Sequence, residues 1–74
     1  MHFARITVDQ DQMGGVPCIR GLRMPVATVV GLVAAGLSTM EILHEHPELE
    51  MEDVGEALHY AAETLREHQL PYTA

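Results

Sequence analysis

The 74-residue sequence has no tryptophan, no lysine, a single cysteine and only three aromatic residues. One cysteine cannot close a disulfide within the chain, which excludes a disulfide-stapled scaffold and fits a reducing, cytoplasmic compartment. No apolar run approaches the ~20 residues that a membrane-spanning helix needs, and the first residues lack the apolar core of a signal peptide. This composition argues against a basic nucleic-acid-binding arm and a reactive pocket, so we expect neither enzymatic activity nor a bound cofactor or metal.

Charges of both signs are present, but they are unevenly placed along the chain. Four arginines stand against eleven acidic residues, for a net charge of −7. Arg5, Arg20 and Arg23 lie in the first third, nine of the acids follow residue 40, and the stretch Met24–Met40 carries no charge. The chain therefore has a mildly basic beginning, an apolar middle and an acidic second half, which disfavours non-specific binding to nucleic acid.

The small size limits the core that the chain can bury. A domain of this length removes only about 60 % of its unfolded surface from water, and this gain nearly cancels against the entropy lost on ordering. Domains with so small a core are usually stabilised further by disulfides, a metal or a partner subunit, and a single cysteine excludes a disulfide within the chain. We therefore expect a homo-oligomer or a tightly bound protein partner.

The first third of the chain predicts strands rather than helices. Phe3–Val8 is rich in β-branched residues and alternates along its length, which is typical of a short strand. After a polar loop, Pro17–Met24 has the pattern of a hairpin in which Gly21, next to Arg20, takes the positive φ of a tight turn. Residues 3–24 are thus expected to form a strand and a hairpin.

An apolar segment follows from Pro25, which lacks an N–H and suits the first turn of a helix. We expect a helix over about residues 25–36, ended by Gly36 in the left-handed conformation, with a strand as the alternative because valine is frequent. The helix is apolar on every side, and a chain this small cannot cover it fully. It is therefore the predicted oligomer interface, with the N-terminal strands as the alternative. The candidate interface residues are Val26, Val29, Val30 and Val33.

Two more helices are expected. Ser38 and Glu41 have the spacing of a capping box, which predicts a helix over residues 39–46 that ends before Pro47. The last helix is expected over residues 51–68, because apolar side chains recur there at spacings of three and four. These side chains form its predicted buried stripe: Met51, Val54, Leu58, Ala61 and Leu65.

Together these elements predict a single, mainly α domain over residues 1–70, followed by a tail over residues 71–74. A short N-terminal β-strand and hairpin precede a three-helix bundle. The last two helices, joined by a short turn, give the bundle a helix-turn-helix-like pattern.

The run Gly15–Pro25 reads Gly-x-Pro-x-Ile-Arg-Gly-x-Arg-x-Pro, and shorter motifs follow at 35–38, 41–43, 47–49 and 53–61. Over nearly its whole length the chain resembles the domain of unknown function 433 family, a helix-turn-helix-like group of short bacterial and archaeal proteins. Members are often encoded beside a PIN-like ribonuclease toxin and are interpreted as the antitoxins of type II toxin–antitoxin pairs. The resemblance implies a cytoplasmic binding protein that neutralises such a toxin and helps to repress its own operon. The chain departs from the family at Glu50, where serine or threonine usually caps the last helix, and at Gly55 or Gly31, where the family usually has a larger residue.

Arginines around the hairpin are the candidate partner-binding residues. A PIN-like nuclease of the kind that the resemblance implies holds a divalent metal with carboxylates, and a guanidinium can pair with carboxylates in a bidentate manner. Arg20 or Arg23 is the predicted contact, and Arg5 is a further basic candidate. The alternative is that these arginines are solvated or pair with acids of the chain itself.

Binding to DNA is possible but disfavoured for the isolated chain. A recognition helix usually presents Arg, Lys, Asn or Gln at its start, whereas the last helix begins with Glu50, Glu52 and Asp53. Contact with DNA would need arginines of two subunits or a complex with the toxin. A stand-alone helix-turn-helix regulator and an oligomerisation module without a nucleic-acid role stay open as alternatives.

Two Glu-x-x-His pairs, Glu41 with His44 and Glu56 with His59, have the spacing found in carboxylate-bridged di-metal bundles. Such bundles need further acids on other helices, and the first helix has none. We therefore interpret both pairs as part of a solvated polar face. No activating base accompanies Cys18, which is expected to be a buried thiol.

Overall fold

The computed structural model of the chain describes residues 3–67. Two short strands are followed by three helices, and one turn of 3₁₀ helix lies between the strands. The elements are β1 (Ile6–Thr7), the 3₁₀ turn (Met13–Gly15), β2 (Cys18–Ile19), α1 (Val26–Ala34), α2 (Thr39–Glu45) and α3 (Met51–Glu67). The predicted mainly α fold with an N-terminal hairpin is confirmed. The expected last residue of the third helix, His68, and the expected tail over 71–74 lie outside the described residues.

β1 is much shorter than the strand predicted over Phe3–Val8. It pairs antiparallel with β2 at two positions only, beginning at Ile6. Before it, the Ile6 N–H donates to the Phe3 carbonyl at 3.1 Å, which makes residues 3–6 a turn. The Arg5 N–H donates to a carboxylate oxygen of Glu56 in α3, at 2.6 Å, instead of to a neighbouring strand. The predicted limits are therefore wrong, because the N–H groups of Arg5 and Ile6 donate to a helix and to the preceding turn, and only the Arg5 carbonyl bonds across to the hairpin, at 2.8 Å from the Arg20 N–H.

The turn after β2 has the predicted residues at its centre. Arg20 and Gly21 have φ values of 44° and 72°, and the Leu22 N–H donates to the Ile19 carbonyl at 2.7 Å. Two successive residues with positive φ are typical of a type I′ turn, which matches the twist of paired strands. Glycine takes this conformation freely, whereas Arg20 is strained by its Cβ and needs support from elsewhere in the fold.

The segment that follows is a helix, so the alternative of a strand over α1 is wrong. The helix is ended by Gly36, whose φ of 98° is the predicted left-handed conformation. The Gly36 N–H donates to the Val33 carbonyl at 3.0 Å, and the Leu37 N–H donates to the Leu32 carbonyl at 3.2 Å. These are the two hydrogen bonds of a Schellman motif, which satisfy carbonyls that a bare helix end would leave unpaired.

The predicted capping box opens α2. The Ser38 hydroxyl accepts a hydrogen bond from the Glu41 N–H at 3.1 Å, and the Glu41 carboxylate accepts one from the Ser38 N–H at 2.8 Å. The hydrogen bond from the Ser38 backbone also lowers the pKa of Glu41. The start of α2 is thus set by residues within its own first turn, which is why the sequence predicts it well.

The core lies where the three helices meet β2. Its buried apolar side chains are Ile19, Met24, Val26, Val29, Ile42, Leu49, Val54 and Ala57. Two of the predicted interface residues, Val26 and Val29, are 5 % and 0 % exposed, so they offer almost no surface to another molecule. Val30 and Val33 are half-buried against the same core. The interface predicted at Val26 and Val29 is corrected accordingly, because α1 turns these two side chains into the core.

α3 turns only part of its predicted stripe towards the core, with Val54 3 % exposed. Met51, Leu58 and Leu65 are 57 %, 38 % and 73 % exposed, whereas Asp53 and Ala57 are fully buried. The helix is therefore rotated by about one residue from the orientation that its apolar periodicity predicts. Burial of apolar surface does not explain why the Asp53 carboxylate faces the core while Leu58 faces solvent. The cause lies in the hydrogen bonds and ion pairs that Asp53 makes.

We predict that Gly55→Ala stabilises the fold by about 1 kcal/mol, because alanine favours a helix interior over glycine by roughly this amount. Gly55 lies in α3, where an added Cβ would meet no atom within 4 Å. Gly36→Ala is the matched control and should destabilise, because its φ of 98° strains any L side chain. Urea unfolding followed by circular dichroism measures both changes. Destabilisation by Gly55→Ala would contradict the open surroundings of this helix position.

Candidate functional site

A buried carboxylate at the start of α3 binds two arginines from the N-terminal part of the chain. Asp53 accepts hydrogen bonds from Arg20 Nε at 3.0 and 3.1 Å and from Arg20 Nη2 at 2.9 Å. Arg5 Nη1 donates to the same carboxylate at 2.9 Å, and the Glu50 N–H donates to it at 2.8 Å. We call these four residues, Asp53, Arg5, Arg20 and Glu50, the Asp53 clamp.

The start of α3 explains the position of Asp53. Asp53 lies three residues after Glu50, and its carboxylate accepts from the Glu50 N–H as the third helical residue of a capping box does. The Glu50 side chain pairs instead with Arg5 Nη1, at 2.7 Å. Glu50, which stands where the family usually has serine or threonine, is therefore part of the clamp.

Arg20 reaches the clamp from the type I′ turn. Its Nη2 also donates to the Glu48 carbonyl at 2.8 Å, so one guanidinium connects the turn, the loop before α3 and α3 itself. The Gly21 N–H donates to Thr7 Oγ1 at 2.8 Å, which fixes the turn to β1. These bonds supply the support that Arg20 needs to keep its positive φ.

Asp53, Arg5 and Arg20 keep their charges around neutral pH. Burial by itself raises the pKa of Asp53, but hydrogen bonds from Arg20, the Glu50 N–H and Arg5 outweigh it and hold the pKa below its ordinary value. Hydrogen bonds to Glu50 and Asp53 raise the pKa of Arg5, and hydrogen bonding to Asp53 raises that of Arg20. Groups that keep their charges so firmly do not exchange protons near pH 7, so the clamp suits holding elements together rather than acid–base catalysis.

Two of the three candidate arginines are therefore used within the molecule. Arg5 and Arg20 pair with Asp53, which is the alternative interpretation left open by the sequence. Arg23 lies in the same loop as Arg20 and is exposed, and within residues 3–67 it has no ion-pair partner. Of the predicted partner-binding residues, Arg23 is the one whose guanidinium is open to another molecule.

The sequence holds one local signal for Asp53, namely its position three residues after the start of a helix. That signal predicts the bond to the Glu50 N–H and nothing more. The arginine partners lie 33 and 48 residues away along the chain, and no spacing rule connects such distant positions. The clamp is for this reason visible only once the chain is folded.

A second feature is an open groove between α1 and α3, with a volume of about 460 Å3. Its wall is almost entirely apolar, and none of its lining residues is charged. The wall includes Val16, Ala27, Val30, Gly31, Ala61 and Leu65. The volume falls within the range of sites that take small apolar groups, so the groove suits apolar side chains or a ligand of that size.

The predicted Glu-x-x-His pairs do not build a metal site in the described part of the chain. Across residues 3–67, no three His, Cys, Asp or Glu side chains come close enough together to hold a metal ion. Over this range, every buried side-chain nitrogen or oxygen also has a hydrogen-bond partner. Cys18 is buried, as expected. None of the described helices is both long and apolar enough to cross a membrane.

Fold and site define a small, mainly helical domain in which a buried acid–arginine cluster joins an N-terminal hairpin to the last helix. The chain belongs to the family described as protein of unknown function (DUF433), whose model matches residues 6–61. The resemblance noted in the Gly15–Pro25 motif is thus confirmed at the level of the family.

Two known proteins are similar to this chain. A crystal structure of a DUF433 member from Anabaena variabilis matches with a TM-score of 0.76 and 32 % identity, covering 85 % of this chain and 62 % of that one. An uncharacterised protein of Sinorhizobium fredii, y4eO, is 41 % identical over 56 residues, which are 76 % of this chain and 25 % of that protein. The chain therefore spans about a quarter of the length of this curated relative.

We predict that Asp53→Asn destabilises the fold by about 3 kcal/mol, the lower end of the range for breaking a buried ion pair. Asparagine has nearly the same size but leaves Arg20 without its counter-charge and Arg5 with Glu50 alone. Arg5 and Arg20 are 30 % and 32 % exposed, so water compensates part of the loss. Thermal and urea unfolding measure the change, and Glu52→Gln, at an exposed neighbouring acid, should shift stability by less than about 0.5 kcal/mol. Equal effects of the two substitutions would show that the clamp contributes little.

Stability should also depend on pH through Asp53. Because its pKa is lower in the folded state than in the unfolded state, its contribution is complete at neutral pH and is lost as the pH falls below about 4. Glu41, whose pKa is also lowered, adds to the same loss. We expect the free energy of unfolding to decrease on the acid side and Asp53→Asn to flatten that decrease. If the free energy of unfolding fell equally with decreasing pH in the unmodified chain and in Asp53→Asn, the loss of stability would not come from Asp53.

Proposed function

We propose that this chain is a protein-binding domain that neutralises a PIN-like ribonuclease, and that the groove between α1 and α3 is its main contact surface. The open, uncharged groove carries this proposal. Apolar surface gains about 25 cal/mol for each Å2 removed from water, so a partner that covers the groove is favoured. Concave apolar sites of this kind receive the anchoring side chains of protein partners.

Arg23 supports the choice of partner. It lies in a loop whose turn is held by the Arg20–Asp53 pair, so little backbone freedom is lost when a partner orders it. A carboxylate cluster that binds a divalent metal offers the acceptors that a guanidinium pairs with best. We therefore place Arg23, rather than Arg20, opposite the acidic residues of the ribonuclease.

Charge supports a protein partner over DNA for the chain alone. The net charge is −7, and Arg5 and Arg20 are already paired with the carboxylates of Asp53 and Glu50. The first turn of α3, where a recognition helix would meet the bases, carries Glu52 and Asp53. Repression of the operon, if the complex performs it, then depends on positive charge contributed by the toxin.

Co-expression with the product of a neighbouring PIN-like gene tests the proposal. We expect a stable complex in a pull-down and RNA cleavage only when this chain is left out. Ala27→Glu places a charge in the groove at a helix position that tolerates acids, and it should weaken the complex at least tenfold, roughly as losing an anchoring contact does. Arg23→Ala should restore cleavage in the presence of the chain.

Met40→Ser is the matched control, because Met40 is 67 % exposed on α2 and lies outside the groove. It should leave both the complex and the inhibition unchanged. Failure of the two proteins to associate, with cleavage unaffected, would contradict the proposal. Salt-sensitive binding of the isolated chain to DNA would favour the stand-alone regulator instead.

A further inference from the structure

We propose that the outer face of α3 binds a second copy of this chain as an antiparallel helix pair. This goes beyond the proposed function and uses a face of α3 that shares only Leu65 with the groove. Five apolar residues follow one another on α3 at spacings of four, three, four and three, and all five are exposed. They form what we call the α3 seam: Met51, Gly55, Leu58, Ala62 and Leu65.

The spacing of the seam is that of paired helices. Alternating steps of four and three keep apolar residues on one line of a helix that winds around a partner helix. The seam covers 15 residues, a length of about 21 Å at 1.5 Å per residue. Three of its members, Met51, Leu58 and Leu65, are the large apolar side chains that the rotation of α3 leaves 57 %, 38 % and 73 % exposed.

The order of large and small residues fits a copy of the same helix running in the opposite direction. With a two-fold axis near residue 60, Leu58 lies opposite the partner's Ala62, and Leu65 lies opposite the partner's Gly55. Each leucine then meets a small residue, so the two backbones can approach closely. Because the contact is two-fold, the same surface serves both copies, as an isologous interface requires.

The charges beside the seam select this arrangement. Glu52 and Arg66 lie on the same side of the seam, 14 residues apart, and both are exposed. In the antiparallel pair, Glu52 of one copy meets the partner's Arg66, and symmetry makes this contact twice. Arg66 is 74 % exposed and has only a 3.5 Å contact with Glu63, so it is available for such a pair.

The pairing of Glu52 with the partner's Arg66 favours a second copy of the chain over a basic partner protein. Two chains of net charge −7 repel one another at a distance, but salt at 0.15 M screens charges beyond about 8 Å. The seam itself is uncharged, and the charges that border it carry opposite signs. A helix pair is smaller than the 20–30 residues per side of a stable interface, so we expect dissociation in the micromolar range.

Sedimentation equilibrium of the full chain over micromolar to millimolar concentrations tests the inference. We expect a monomer–dimer equilibrium that strengthens with added salt, because screening relieves the repulsion between the acidic chains. Leu58→Glu should weaken the dimer at least 100-fold by placing a charge at the centre of the seam. Met40→Glu, at an exposed position of α2, should leave dissociation unchanged. Circular dichroism verifies that each variant is folded.

Charge exchange then tests the antiparallel direction. Glu52→Arg or Arg66→Glu alone should weaken the dimer about tenfold, because each places like charges opposite one another twice. The double variant Glu52→Arg/Arg66→Glu should restore the original dissociation constant. A simple loss of helix stability would not be rescued in this way.

Three results would overturn the inference. They are a monomer at every concentration, a dimer that survives Leu58→Glu, and a double variant no tighter than the singles. The chain alone could also form no dimer, while Leu58→Glu abolishes its complex with the co-expressed ribonuclease. That result would assign the seam to binding of the ribonuclease instead. Ala27→Glu, in the groove, should still dimerise, so failure of the groove proposal and failure of this one are distinguishable.

Discussion

The ionised carboxylate of Asp53, buried at the start of α3, is the interaction on which the arrangement of the molecule depends. Its partners come from the segment before β1 and from the turn after β2, so one group joins three parts of a chain too short for a large core. A buried charge is costly unless it is paired and hydrogen-bonded, and here two guanidiniums and a backbone N–H meet it. The same contacts hold Arg20 in a conformation that a non-glycine residue otherwise avoids.

Local signals predicted the features that residues within a few positions determine. The capping box at Ser38, the glycine that ends α1 and the turn at Arg20 were all visible in the sequence, because each depends on contacts inside one turn. The orientation of α3 was not visible in the sequence, because a prediction from apolar periodicity takes the most apolar face of a helix to be the buried one. Asp53, bound by arginines far away in the chain, takes that place and turns Leu58 outward. The predicted extent of the strand over Phe3–Val8 is wrong for a similar reason, because the Arg5 N–H donates to the carboxylate of a glutamate in α3.

The surfaces available for binding follow from this rotation. Because Asp53 and Ala57 face inward, α3 presents the seam to solvent and forms one wall of the groove with α1. Of the valines first expected at an interface, Val26 and Val29 are buried in the core, whereas Val30 lines the groove together with the smaller residues Ala27 and Gly31. Arg5 and Arg20 are paired with the two carboxylates of the clamp, which leaves Arg23 as the exposed cation of the hairpin. One buried charge thereby connects the fold of this DUF433 member with both of its proposed contacts.

The rotation of α3 is the central claim, and thiol labelling of single cysteines along this helix tests it most directly. Val54→Cys, Ala57→Cys and Leu58→Cys would be labelled separately at a concentration low enough for the monomer, with the buried Cys18 as the slow reference in each. The account predicts fast labelling at position 58 and slow labelling at positions 54 and 57. Slow labelling at 58 with fast labelling at 57 would instead match the orientation expected from apolar periodicity, and would contradict the role assigned to Asp53.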